Sequence, residues 1–247
     1  MVSRRRRSVP DPAEFQASDV AMSESLDRTE TLALNYQEWI EDLCSPYLGD
    51  RCLELGSGLG YMTERLAKGR TVVASDLSEK NLALLRNRFE SFDNVSVRRI
   101  DIDDFAPDEQ FDSIVMLNVL EHIADDRGTL VKLRRALAPG GRVVLYVPAF
   151  MMLYSPQDRA IGHYRRYRKK PLLELLDDSG YEPLDARYVN SLGWFGWFFY
   201  CRVLRRQAVE LLSVGALDGF ILPRLRRIET RFPPPFGVSI FAVGRVR

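Results

Sequence analysis

LELGSGLG, residues 53–60, ends an apolar run and opens a helix-like segment, with glycines at 56, 58 and 60. Glycine reaches positive φ without steric cost and lets a ligand approach the backbone closely. A glycine-rich turn between strand and helix is therefore a candidate nucleotide site. The dinucleotide fingerprint G-x-G-x-x-G requires its third glycine where this chain carries Tyr61. Glu54, just ahead of the turn, would repel a pyrophosphate but would accept a hydrogen bond from an amino group. A plain strand-to-helix turn stays open as the structural alternative.

Outward from this stretch the chain alternates. Residues 51–55, 71–75, 95–100, 111–117 and 143–147 read as strands, several of them apolar throughout. Helical spacing marks residues 24–48, 62–67 and 79–89, the last with Ser78 as N-cap. Leu130, Leu133 and Leu137 mark a further helix, expected to end at Pro139-Gly140-Gly141. Strands of this kind predict an α/β domain, a doubly wound, mostly parallel sheet covered on both faces. Its ligands bind at the carboxyl ends of the strands. The second half reads as a polar, aromatic loop over 150–170, a helix from Pro171 to Gly180, and a strand near 183–189. Helical stretches follow near 194–213 and 216–230, then the Pro233-Pro234-Pro235 break and a last strand at 238–243. We read residues 1–22 as a disordered basic tail and 23–247 as one domain. Its cofactor-binding part is 50–149, and its acceptor and lid part is 150–230.

A net charge of +1 over 247 residues excludes a global field that would draw in nucleic acid. Cys44, Cys52 and Cys201 form neither a disulfide framework nor a zinc spacing, which fits a reducing cytoplasm, and no metal site is expected. Four arginines at 4–7 are not followed by an apolar stretch, so no secretory signal is expected there. The longest apolar run, residues 192–201, is shorter than the roughly 18 residues that argue for a membrane span.

The strand ends carry the chemistry. Asp76 stands 20 residues after Gly56, where an acid meets ribose hydroxyls in adenosyl ligands of several kinds. Asp101 followed by Ile102 suits adenine, the acid accepting from the amine and the aliphatic chain packing on the ring. Asn118 and Val119 follow the fourth strand. Together these residues resemble the class I S-adenosylmethionine-dependent methyltransferases. ELGSGLG matches their first motif, Asp76 their ribose acid and Asp101-Ile102 their adenine site; FDSIVMLNVLEHI and LRRALAPGGRVVLYVPA match their fourth and fifth strands with the helix between. The resemblance implies a Rossmann-like seven-stranded sheet with an antiparallel last strand, plus a helical lid. It implies S-adenosyl-L-methionine as cofactor, held by Glu54, Gly56, Ser57, Gly58, Gly60, Asp76, Leu77, Asp101, Ile102, Asn118 and Val119. The three glycines would approach its methionine moiety. LYSPQDRAIGHYRRY, residues 153–167, is similar to a bacterial subgroup with a D-x-x-x-G-H-x-R-R-Y block, whose acceptors are mostly unassigned.

Methyl transfer from a sulfonium needs alignment, a dry site and sometimes a base. His163 is our candidate base or acceptor ligand, with Asp158 to orient it; a loop-pinning role is the structural alternative. His122 is expected to wall the cofactor site or cap the next helix. Tyr154, Arg165, Arg166 and Tyr167 are candidates for the acceptor, and the arginines would suit an anionic one. The bland reading has Arg165 or Arg166 paired internally. The aromatic stretch 190–206 is core, acceptor-pocket wall, homodimer interface or membrane-surface contact. The leading expectation is a cytoplasmic methyltransferase for a small-molecule or lipid-linked acceptor, methylated at oxygen. Nitrogen or carbon methylation and a nicotinamide-dependent oxidoreductase are the rivals, and nucleic acid is not an expected partner.

Overall fold

Alternation along each strand sorts side chains into two buried layers. The computed structural model describes residues 33–105, 109–199 and 217–247. The basic tail, the first part of the 24–48 helix and most of the 194–213 helix lie outside the described residues. Seven strands form one sheet: β1 (Arg51–Leu55), β2 (Thr71–Asp76), β3 (Val95–Arg99), β4 (Phe111–Leu117), β5 (Leu137–Pro148), β6 (Tyr181–Val189) and β7 (Ser239–Val246). Their order is β3-β2-β1-β4-β5-β7-β6. β1 to β5 pair in parallel, and β7 runs antiparallel between β5 and β6. The expected Rossmann-like fold with its antiparallel last strand is the observed one.

Leu53, Ile114, Met116, Val143 and Leu145 point to one layer, with Leu130 and Leu133 of the Asp126–Arg134 helix and Leu172 and Leu176 of the Lys169–Asp178 helix. The opposite layer holds Cys52, Val72, Val115 and Tyr146 under Trp39, Ile40 and Leu43 of the Leu34–Cys44 helix and Leu225 of the Leu222–Arg231 helix. Each buried aliphatic side chain contributes roughly 1.5–3 kcal/mol, so the period-two pattern fixes the strand faces.

One boundary differs from the sequence reading. The helix after β4 ends at Arg134, and Leu137 already pairs with Phe111. Pro139-Gly140-Gly141 therefore sits inside the strand as an irregularity, between the Phe111–Leu137 and Ser113–Arg142 pairs, and does not close the helix. The cap also differs from the second role considered for His122. Asp125 caps this helix, its Oδ1 accepting from Gly128 N at 2.8 Å.

The chain turns outward from β1 through β2 to β3, then returns to place β4 on the other side of β1. That reversal opens a crevice at the carboxyl ends of β1 and β4, where the LELGSGLG turn and Asn118 lie side by side.

Candidate active site

Two adjoining cavities occupy this crevice. The smaller, about 220 Å³, is lined by Glu54, Gly56, Ser57, Gly58, Tyr61, Met62, Leu117 and Asn118, and roofed by Tyr36, Gln37 and Ile40. The larger, about 450 Å³, is lined by His163, Arg166, Asn190, Leu192, Trp197, Asp218, Ile221, Leu222 and Ser239. Ala33, Tyr36 and Asn118 belong to both, so the two cavities meet there.

The glycine turn is held by its neighbours. Ser57 N donates to Ser75 O at 2.8 Å, and Ser57 Oγ donates to Glu54 Oε2 at 2.9 Å. Thr63 Oγ1 also donates to Glu54 Oε2, so the buried carboxylate ties β1 to the following helix. Gly56 has φ 72°, and a Cβ there would stand 2.5 Å from Val119 Cγ2. Val119 thus enforces the glycine without itself lining the cavity. Gly60 departs from expectation: at φ 84° it precedes the Tyr61–Leu66 helix, and a Cβ would strike Phe89 and Leu85 at 2.7 and 2.8 Å. It serves helix packing and is not among the residues lining the cavity.

Asp76 accepts from Gly58 N at 3.0 Å and Ser78 N at 2.8 Å, fixing the turn from β2. Leu77 is exposed beside it. Asp101 Oδ1 accepts from Asp103 N at 3.1 Å, and Lys132 Nζ donates to Ile102 O at 3.1 Å. Asp76, Leu77, Asp101 and Ile102 edge the sheet beyond the smaller cavity and do not line it.

The 150–167 segment folds back over the end of β5. Tyr167 N donates to Pro148 O, Phe150 N to Tyr167 O, and Tyr164 N to Glu121 O. Within it, Pro156–Ala160 forms a short helix closed by a reciprocal Ser155–Asp158 capping box. Buried Asp158 accepts from Arg166 Nε at 2.7 Å, Arg166 Nη2 at 3.1 Å and Ser155 Oγ at 2.8 Å, and its Oδ1 lies 2.8 Å from His163 Nδ1. Burial alone would raise its pKa, but the His163, Arg166 and Ser155 hydrogen bonds hold it well below the usual carboxylate range.

The acceptor candidates divide. Arg166 lines the larger cavity, stacks over Trp197 at 5.1 Å and spends its fork on Asp158. Arg165 pairs with Asp126 at 2.5 Å and donates to Ala124 O at 2.6 Å. Tyr167 is buried and donates to Asp126 Oδ2 at 3.0 Å; burial and Asp126 raise its pKa. Tyr154 donates to His163 O at 2.7 Å. The expectation of an arginine-lined anion site is corrected: both arginines have internal carboxylate partners. Arg165, Tyr167 and Tyr154 support the loop and do not line the larger cavity.

His163 and His122 cross edge to face at 4.5 Å, and Glu121 lies beneath them, fully buried. Burial pushes the Glu121 carboxyl up to about 8, and burial with the neighbouring His163 pushes His122 down to about 4. Sequence reasoning passed over three wall residues. Asp218 accepts from Asn35 N, Asn35 Nδ2 and Tyr36 N at 2.9–3.0 Å, capping a helix whose own N-cap position is Ala33. Tyr36 Oη meets Tyr146 Oη at 2.5 Å. Asn190 caps the Ser191–Trp197 helix through Gly193 N at 2.7 Å, while buried Glu229 accepts from Asn190 N and Ser191 N. These links join residues up to 183 positions apart, beyond the reach of any local pattern.

A family model described as a methyltransferase domain matches residues 53–143. The chain is 30% identical over 156 residues to the demethylmenaquinone methyltransferase of Tropheryma whipplei (strain Twist), covering 58% of this chain and 65% of the relative. It is 32% identical over 110 residues to the ubiquinone biosynthesis O-methyltransferase of Bordetella avium (strain 197N), covering 43% and 46%. The chain thus spans less than two thirds of these relatives' own length. Among solved structures it is similar to the N-methyltransferase NodS of Bradyrhizobium japonicum WM9, in complex with S-adenosyl-L-homocysteine. The TM-score is 0.55 at 17% identity, with 85% of this chain and 84% of that one covered.

Proposed function

We propose that this chain is an S-adenosylmethionine-dependent methyltransferase acting on a hydroxyl group of an acceptor with a large apolar body. The observation that carries the reading is the pair of cavities meeting at Tyr36 and Asn118, one built on the glycine turn and the other walled by apolar side chains around His163. The fit of the cofactor rests on the smaller cavity. Gly56 and Gly58 line it with bare backbone, and no atom lies within 4 Å of a Cβ built on Gly58, so a ligand can approach the turn closely. Glu54, Ser57, Gly58 and Asn118 would hold the amino-acid end, and Asp76 and Asp101 would face the sugar and base. When bound, the cofactor supplies an activated methyl group on a sulfonium, with a neutral thioether as leaving group.

The chain's own residues do the rest. Leu192, Trp197, Ile221 and Leu222 give the acceptor cavity an apolar lining that suits an apolar acceptor. His163 has Nδ1 committed to Asp158 and offers Nε2 as the atom that takes the acceptor's proton or fixes its oxygen. Asp158 is a positioning residue, locked by Arg166 and Ser155. Leu192 and Ile221 line the cavity and are also exposed at its mouth, which favours a lipid-linked acceptor. No helix among the described residues is long and apolar enough to cross a membrane. Two relatives are named for quinones, demethylmenaquinone and ubiquinone, and the second for O-methylation, which supports a ring-bearing apolar acceptor and oxygen as the methylated atom.

The test is incubation with radiolabelled S-adenosylmethionine and paired acceptors that share an apolar body but present a phenol, an amine or an activated carbon. Label in the phenol alone is expected. Label in the amine or carbon acceptor would overturn oxygen as the methylated atom.

A further inference from the structure

We propose that Glu121, His122 and His163 bind one divalent transition-metal ion beside the larger cavity. The proposal rests on the methyltransferase reading for its role but not for its existence.

The three side chains come from two segments, the turn after β4 and the loop after β5, joined by the Tyr164 N to Glu121 O hydrogen bond. Each offers one donor atom, and these atoms lie within 4.8 Å of one another. His163 Nε2 and Glu121 Oε1 are 3.8 Å apart. Ligands around a first-row ion, at roughly 2.0–2.2 Å from it, stand about 3–3.5 Å from each other. Closing the set therefore needs side-chain shifts on the order of 1 Å, with no backbone rearrangement.

Glu121 supplies the independent evidence. Its side chain is fully buried, and neither carboxylate oxygen has a hydrogen-bond partner. A buried carboxyl without partners is costly to ionise, and a cation brought against it would offset that cost and displace its proton. His163 is already oriented as a metal ligand is. His163 Nδ1 is held by Asp158, itself locked by Arg166 and Ser155, which turns Nε2 toward Glu121. A histidine whose second nitrogen bonds a carboxylate is the usual outer arrangement of a metal site. The Arg166 charge is spent on Asp158 and does not face the cluster unpaired.

Two imidazoles and one carboxylate select a borderline transition ion such as Zn²⁺, Fe²⁺ or Co²⁺ over Mg²⁺ or Ca²⁺. Exposed His122 gives the ion an entry path from solvent. Three protein ligands leave a coordination position open. Because His163 also lines the acceptor cavity, an acceptor oxygen is the fourth ligand we assign. With the ion bound, His163 Nε2 would be a ligand and no longer the base; the ion would lower the proton affinity of the acceptor oxygen, and the proton would pass to solvent.

The experiment is titration of the chelator-stripped full chain with Co²⁺ alone, followed by calorimetry and by visible absorption. His122→Ala and Glu121→Gln variants are titrated in parallel, and S-adenosylhomocysteine binding is measured on every sample. We expect one ion per chain with ligand-field bands, weakened at least tenfold in each variant, and S-adenosylhomocysteine binding unaltered. His122 is exposed, so its variant tests the site even if the Glu121 variant does not fold. No binding below about 1 mM, the weak end of specific affinity, or equal affinity in wild type and His122→Ala, would overturn the site. A chain that binds Co²⁺ but not S-adenosylhomocysteine would keep the metal site and overturn the methyltransferase reading; the converse would overturn the site alone.

Discussion

Gly56 shows how a single position carries the account. Its φ of 72° and the Val119 methyl at 2.5 Å from a built Cβ forbid a side chain twice over. Gly56→Ala is expected to cost roughly 1–3 kcal/mol of stability and to abolish S-adenosylhomocysteine binding, as followed by urea denaturation and calorimetry. Gly60→Ala, whose Cβ would strike Leu85 and Phe89, should lose comparable stability, and the refolded fraction should keep its ligand affinity. If both variants lose affinity equally at matched stability, the separation of roles is wrong. Asp158→Asn would leave the Arg166 guanidinium buried beside a neutral amide, with an expected loss of about 3–5 kcal/mol. A change below about 1 kcal/mol would show that the pair is better solvated than its burial indicates. The Asp158–His163 pair was legible from sequence because five positions separate its members, and the glycine turn because its glycines stand together, whereas the Ser57 and Thr63 partners of Glu54 were not. The true partners of Arg165, Arg166 and Tyr167 were not legible: a basic, aromatic run gives the same pattern whether its charges face ligand or carboxylate.

Two helices that shape the acceptor cavity are capped by acids from a distant segment. Asp218 holds the start of the Leu34–Cys44 helix, and Glu229 holds the start of the Ser191–Trp197 helix. Exposed backbone N–H groups at a helix start need such acceptors. Asp218→Ala should cost about 1–2 kcal/mol and should weaken binding at both cavities, since Tyr36 borders each. Denaturation midpoints with and without S-adenosylhomocysteine would check this, and an intact midpoint would contradict it. The helices themselves were legible from 3.6-residue spacing, and the strands from apolar runs. The end of the helix before β5 was misread because Pro139-Gly140-Gly141 looks like a helix stop, whereas Leu137 is already claimed by its pairing with Phe111. Long-range pairing overrides the local signal there.

At the scale of the whole molecule, the sheet order places the glycine turn, Asn118 and the His163 loop at one edge, and the sequence order of motifs alone does not. Of the four strand ends singled out, those of β1 and β4 line the smaller cavity and those of β2 and β3 do not, although a doubly wound sheet has one ligand-binding edge. The cluster of Glu121, His122 and His163 was invisible in sequence, since 41 positions separate its two segments. Burial also sets the thiol chemistry of the fold. It pushes the Cys52 thiol up to about 12 and raises Cys44 as well. Peptide mapping after pulse labelling should find both unmodified in native protein and reactive only at the rate of global unfolding; fast native labelling would mean the core between β1 and the Leu34–Cys44 helix opens locally. The central claim, that the LELGSGLG crevice holds an adenosyl sulfur ligand, is tested most directly by calorimetric titration of the full chain with S-adenosylhomocysteine and, in parallel, with NADH. The account predicts one molecule of S-adenosylhomocysteine bound per chain and no heat from NADH. Binding of NADH alone would contradict it and make the turn a dinucleotide site with Tyr61 in place of its third glycine.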